Sequence, residues 1–227
     1  AIGDSVEIWT ICAGDPPPGP LPPFARSLHN RWGTHRDAAA VRRSEDYRSC
    51  LRLGAVPRHF AIPDCIYRRI PLTGKPLITV NDNLFQPLPE SQLSLVDDLR
   101  DQLANALPPK CQIVNPLTLG NHLDHQLVRR AADGLGRPLL YYADYPYTVQ
   151  DRNDLTPWIH PDWQTFTQPV SLTGLRAWQD GVAEHDSQIS TFWQSVPEME
   201  AALQSYLQAG GGCKLWGNLA GETITNL

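Results

Sequence analysis

Basic residues are in deficit: 19 Lys and Arg against 24 Asp and Glu leave the 227-residue chain at a formal charge of -5, with an isoelectric point near 5.8. No surplus of cations is available to neutralise a phosphate backbone, so nucleic acid is not an expected partner. Cysteine is sparse and scattered. Cys12, Cys50, Cys65, Cys111 and Cys213 are odd in number and include no Cys-x-x-Cys pair, which argues against a disulfide framework or a cysteine zinc knot and for a reducing, cytoplasmic compartment. No window approaches the roughly 20 apolar residues that a membrane helix needs, and the opening residues contain no basic stretch leading into an apolar one. No Gly-x-Gly-x-x-Gly follows a strand-like run. Gly210-Gly211-Gly212 precedes no helical pattern and reads as a turn, which leaves a nucleotide-binding reading without support. Methionine occurs once, at Met199, and residue 1 is Ala, so the sequence as given does not open at an initiator.

What is present is an alternation of strand-like and helix-like segments. Val6 to Cys12 is a β-rich apolar run that ends in Ala13-Gly14-Asp15, followed by the proline-rich stretch from Pro16 to Pro23, which can be neither helix nor central strand. Helical spacing of Ala39, Val41, Tyr47, Cys50 and Leu51 predicts a helix from Arg36 to Leu53, stopped by Gly54. A short strand is expected at His59 to Ile62, then an aperiodic stretch from Cys65 to Pro89 long enough to suggest a functional lid. Ser91 to Leu107 is an amphipathic helix ended by Pro108-Pro109. A strand at Cys111 to Val114, a helix from about His122 to Leu135 and a strand at Pro138 to Ala143 come next. The remainder holds a strand near Gln164 to Val170, helices around Leu175 to Trp193 and Pro197 to Leu207, and a glycine-rich turn. This order implies one α/β domain with a mostly parallel, doubly wound sheet, whose ligand crevice lies at the C-terminal strand ends.

The most informative residues, Gly120-Asn121-His122-Leu123-Asp124-His125, sit between a predicted strand and a predicted helix. His122 and His125 share a face of a helical first turn, neutral imidazole is a common zinc ligand, and Asp124 can reach a neighbouring ring N–H. A pair of surface histidines at a helix start is the plain alternative. The aromatic residues of Tyr141 to Tyr147 and Trp158 to Trp163 could form a sugar-stacking rim or pack in the core.

With these residues in place, the chain resembles the PIG-L/LmbE-like family of zinc-dependent N-acetylglucosaminyl deacetylases, whose members carry a Gly-x-His-x-Asp-His element after a central strand. The resemblance includes the early strand ending at Thr10 to Asp15, the helix with Arg42 and Glu45 before Leu53-Gly54, and the Ile62-Pro63-Asp64 turn. It continues through Tyr141-Tyr142, Asp144-Tyr145-Pro146-Tyr147 and Ser187-Gln188, so it covers nearly the whole chain. It implies a Rossmann-like fold, a Zn²⁺ or other divalent metal held by His125, and a reaction assisted by His122 as oriented by Asp124. Arg42 and Asp64 would bind the substrate, a small amino sugar or glycoconjugate, with acetate as product. Read without the family, Arg42 would pair with Glu45 on the helix surface and Asp64 would cap a turn.

One element of the family is absent. Its members have a His-x-Asp-Asp segment after their first strand, and none of His29, His35, His59, His160 and His185 has that partner here. The resemblance therefore implies a single LmbE-like domain over residues 1–227 that lacks a first strand-loop-helix unit, leaving the strands at Val6 and Ile113 to flank a gap. A chain in that state is expected to be inactive by itself. The alternative is a catalytically inactive carbohydrate-binding relative.

Overall fold

The computed structural model describes residues 5–34, 37–150 and 154–218; His35 and Arg36, which entered the expectations above, lie outside them. In chain order the helices and strands are β1 (Glu7–Thr10), α1 (Pro23–Arg31), α2 (Ala38–Leu53), β2 (Val56–His59), α3 (Leu93–Ala106), β3 (Ile113–Pro116) and α4 (Leu123–Asp133). They continue with β4 (Leu139–Tyr142), α5 (Tyr147–Gln150), β5 (Gln164–Thr167), α6 (Leu172–Ala183), α7 (Asp186–Phe192), α8 (Val196–Gln208) and β6 (Lys214–Gly217). The contacts divide the chain into two units. One contains residues up to 83 together with 170–210, and the other residues 84–169 together with the segment from 211.

In the first unit β1 and β2 pair in parallel, from Glu7 opposite Val56 to Thr10 opposite His59. The second strand thus lies earlier than the expected His59 to Ile62. After β1 the chain passes so close to the next segment that a Cβ on Gly14 would lie 2.2 Å from the carbonyl oxygen of Ala61, and the Gly14 N–H donates to Ile62 O at 2.9 Å. Only glycine permits that approach. Helix α2 packs on β2 and α6. Helix α1 was not foreseen, although Pro23 at its first turn and buried Ala25, Leu28 and His29 at helical spacing are sequence signals for it. The expected helix from Leu175 to Trp193 is two helices, α6 and α7, with His185 at the start of the second. In the aperiodic stretch, Cys65, Ile66, Tyr67 and Ile78 are buried, so this part is anchored in the core, with Leu72 exposed at its turn.

Buried Glu45 on α2 fastens this arrangement. Its carboxylate accepts from the Ser187 backbone N–H and hydroxyl, both at 2.8 Å, at the first turn of α7.

In the second unit the sheet order is β3-β4-β6-β5. β3 and β4 are parallel, and β6 is antiparallel to both its neighbours. The α/β class holds, but this sheet is mixed where a mostly parallel one was expected. Strand β6, a four-residue Lys-Leu-Trp-Gly run behind glycines, has no β-branched residue to announce it. Leu117, Leu119, Leu139, Tyr141 and Trp216 form the core with Ala132 of α4. The Tyr141 ring stacks on Trp163 at 4.4 Å and its hydroxyl donates to Asp133, so these two aromatics pack in the unit and do not form a free rim. Among the described residues no helix is long and apolar enough to cross a membrane.

Replacing Glu45 with Ala should lower stability by about 2–3 kcal/mol, because the Ser187 donors lose a charged acceptor where water cannot easily substitute. Glu45→Gln, which keeps one acceptor oxygen, should cost less. Urea unfolding midpoints of the three proteins test this.

Candidate functional site

The loop from β3 to α4 is built under backbone strain. Thr118 and Asn121, neither a glycine, have φ of 68° and 59°, and Gly120 between them has φ 75°. Left-handed non-glycine residues persist only where surrounding contacts hold them, and they concentrate at functional sites. Here the contacts are identifiable. Asn121 Nδ2 donates to Phe85 O at 2.9 Å, and Gln126 Nε2 donates to Asn121 O at 2.7 Å. A Cβ on Gly120 would fall 2.6 Å from the Tyr147 ring.

The loop delivers His122 as the N-cap of α4, its Nδ1 accepting from the Asp124 backbone N–H at 3.3 Å. An Nδ1 that accepts leaves the ring proton on Nε2. His125 lies one turn on, the two rings 5.4 Å apart, with Tyr147 edge-on to His125 at 5.9 Å. The His125 Nδ1 is 2.6 Å from Oδ1 of Asp144, which is buried and whose other oxygen accepts from the Leu119 N–H at 3.2 Å. A carboxylate can only accept, so Nδ1 carries the proton and Nε2 presents its lone pair.

The structure thus brings His122, Asp124 and His125 together and adds Asp144, which sequence reasoning had not given a role. The available signal was its place just after β4, at a C-terminal strand end beside β3. The expected orientation of His122 by Asp124 comes through the Asp124 backbone N–H; a ligand atom of the buried Asp124 side chain lies within 4.8 Å of one on His122.

Arg42 and Asp64 meet in the first unit. The guanidinium donates to Asp64 at 3.2 Å and to Gln188 Oε1 at 2.5 Å, and lies over the Trp32 ring at 4.2 Å. Arg42 does not pair with Glu45, which is turned to Ser187. Asp64 does close a turn, accepting the Ile66 N–H at 3.1 Å, while also binding Arg42. Both line a cavity of about 290 Å³ that Asp46, His59, Tyr67 and His185 also face. Burial holds the His185 imidazole below its ordinary pKa, against the opposing pull of the Asp46 and Glu45 carboxylates. Of the other histidines, His29 is buried against the Tyr67 hydroxyl at 2.6 Å and His160 lies exposed in a late loop.

No protein-family model and no curated protein matches the sequence. Solved structures do. The zinc-inhibited form of the teicoplanin deacetylase Orf2 superposes with a TM-score of 0.76 at 24% identity, over 94% of this chain and 86% of that one. A deacetylase–bog complex from the teicoplanin biosynthesis pathway gives 0.72 at 26% identity over the same shares. The A40926 pseudoaglycone deacetylase Dbv21 gives 0.67 at 24% identity, over 95% of this chain and 85% of that one. The chain has the fold of these deacetylases.

Two outcomes follow from the geometry. Asp144→Asn removes the obligate acceptor at His125 Nδ1, so the imidazole ¹⁵N shifts should move from a single Nδ1–H tautomer to a mixture; an unchanged spectrum would show that Asp144 does not set the tautomer. For His185, a folded pKa below the unfolded value of 6.5 means that the unfolded chain binds the proton more readily. Its contribution to stability is therefore complete above that value and is lost as pH falls through it toward the depressed folded one. Between pH 7 and pH 5, urea unfolding should show a smaller loss of stability for His185→Gln than for the parent.

Proposed function

We propose that the chain is a metal-dependent hydrolase of the PIG-L/LmbE-like kind that removes the N-acetyl group from an N-acetylglucosamine-type sugar or glycoconjugate. The observation that carries this reading is the Asp144–His125 pair beside His122, in a chain with a deacetylase fold. Its neighbours include a deacetylase in complex with teicoplanin, which supports a glycoconjugate as substrate class. We read the chain as a single Rossmann-like domain of that family. The five free cysteines support a reducing, cytoplasmic setting.

The donor chemistry fits a divalent metal, zinc first. A histidine whose Nδ1–H is held by a buried carboxylate, with Nε2 left as donor atom, is the usual form of a metal-ligating imidazole. His125 would hold the metal, Asp124 offering a nearby carboxylate. When bound, such an ion acidifies a water and polarises an amide carbonyl. His122, with its N–H on Nε2, would donate a hydrogen bond to the oxyanion of the tetrahedral intermediate and stabilise it, and the Asp124 N–H on Nδ1 keeps that donor in place. Arg42 and Asp64, locked to each other, would bind sugar hydroxyls.

A catalytic zinc normally has three protein ligands, and the sequence contains no His-x-Asp-Asp to complete the set. That observation favours, as a second reading, a carbohydrate-binding relative without activity. Acetate release from N-acetylglucosamine and its β-glycosides, measured with zinc supplied on the chain joined to a preceding strand-loop-helix segment that carries His-x-Asp-Asp, separates the two. The hydrolase reading expects turnover, a loss of about 10²- to 10³-fold in His122→Ala, and loss of both turnover and bound metal in His125→Ala. Saturable sugar binding with no acetate release at any zinc concentration would establish the second reading instead.

A further inference from the structure

The cavity of the first unit has a wall whose charges are already spent. Arg42 is committed to Asp64 and Gln188. Arg43 donates to Ala13 O at 2.6 Å and to the Asp15 carboxylate at 2.9 Å. Arg42 keeps its buried Nε without a hydrogen-bond partner, but its charge is offset by Asp64 and that of Arg43 by Asp15, and burial disfavours the charged form of His185.

Asp46 is different. Its Oδ2 accepts from the Thr10 hydroxyl at 3.1 Å and from His59 Nε2 at 2.7 Å, and among the described residues no arginine or lysine pairs with it. Only 16% of its side chain is exposed, and it faces the cavity. In the neutral ring, with Nε2 of His59 donating to Asp46, Nδ1 is an acceptor as well. This side of the cavity therefore offers a carboxylate and ring-nitrogen lone pairs, and it asks for donors. Hydroxyl groups supply them. A carboxylate or phosphate brings more acceptors and a like charge into a partly desolvated space, where repulsion is weakly screened. The volume, about 290 Å³, is at the small end for ligand sites and suits a single sugar ring.

We propose that this cavity takes an uncharged, hydroxyl-bearing ring and turns away the same ring carrying a carboxylate or phosphate, with Asp46 as the residue that enforces the choice. The proposal rests on the amino-sugar reading above and narrows it: the substrate's ring is neutral at the end that enters this cavity. Thr10 and His59 act as positioning residues, holding the Asp46 carboxylate against rotation toward solvent.

The test compares N-acetylglucosamine with N-acetylglucosamine 6-phosphate and the corresponding uronic acid, as ligands of the full chain, by calorimetry or ligand-observed NMR. The parent should bind the neutral sugar at least about tenfold more tightly than either anion, a ratio within reach of one like-charge contact. Asp46→Asn should close the gap to within about threefold by tightening the anions, whereas Thr10→Val, which leaves the charge in place, should preserve it. Equal affinities in the parent, a gap unchanged in Asp46→Asn, or no binding of the neutral sugar would each overturn the proposal. Acetate release, scored in parallel on the chain joined to a His-x-Asp-Asp segment, keeps the two readings apart. Selective binding without acetate would refute the hydrolase and leave the cavity's preference standing. Equal turnover of neutral and anionic sugars would do the reverse.

Discussion

Asp144 is a nearly inaccessible carboxylate, and a charge in that position is tolerable only if its oxygens are occupied. One oxygen takes the Leu119 N–H from the loop after β3, and the other takes His125 Nδ1 from α4. A single side chain at the end of β4 thus joins the neighbouring strand's loop to the helix that follows it. The direction in which His125 presents Nε2 follows from that joint. So does the position of the loop whose last residue is the cap of α4.

The strain in that loop is held by a polar hub of similar design. Buried Gln126, on the face of α4 away from solvent, accepts from the Leu88 N–H at 2.9 Å and donates to Gln86 O and Asn121 O. Its amide thereby satisfies backbone groups of two irregular segments that have no ladder of their own. Asn121 can keep its left-handed backbone because both its carbonyl and its side chain are anchored in this way.

In the first unit the corresponding element is α2. Arg42, Glu45 and Asp46 fall three and four residues apart, on adjoining faces of one helix, and each reaches a different target: Asp64, Ser187 and His59. One helix therefore lines the cavity and fastens α7. The cavity's electrostatics derive from this spacing, since the arginine pairs with Asp64 and the aspartate with a hydroxyl and an imidazole.

Much of this was readable from residue order. Apolar periodicity marked α2, α3 and α4 to within a few residues, and the Gly120 to His125 run marked out a candidate site because glycine, an N-cap and two histidines in one turn act locally. The α/β class followed from alternation of the segments. Four things did not follow. α1 was hidden behind prolines, β6 lacked any β-branched side chain, and its antiparallel insertion made the sheet mixed. The partners of charged side chains were the fourth. Arg42 stands three residues from Glu45, yet pairs with Asp64, and His125 stands beside Asp124 in sequence, yet is held by Asp144. Local pattern determines which segments are helices and which residues share a face. Which acid meets which base depends on segments brought together from 19 and 22 residues apart, and only the folded chain decides that.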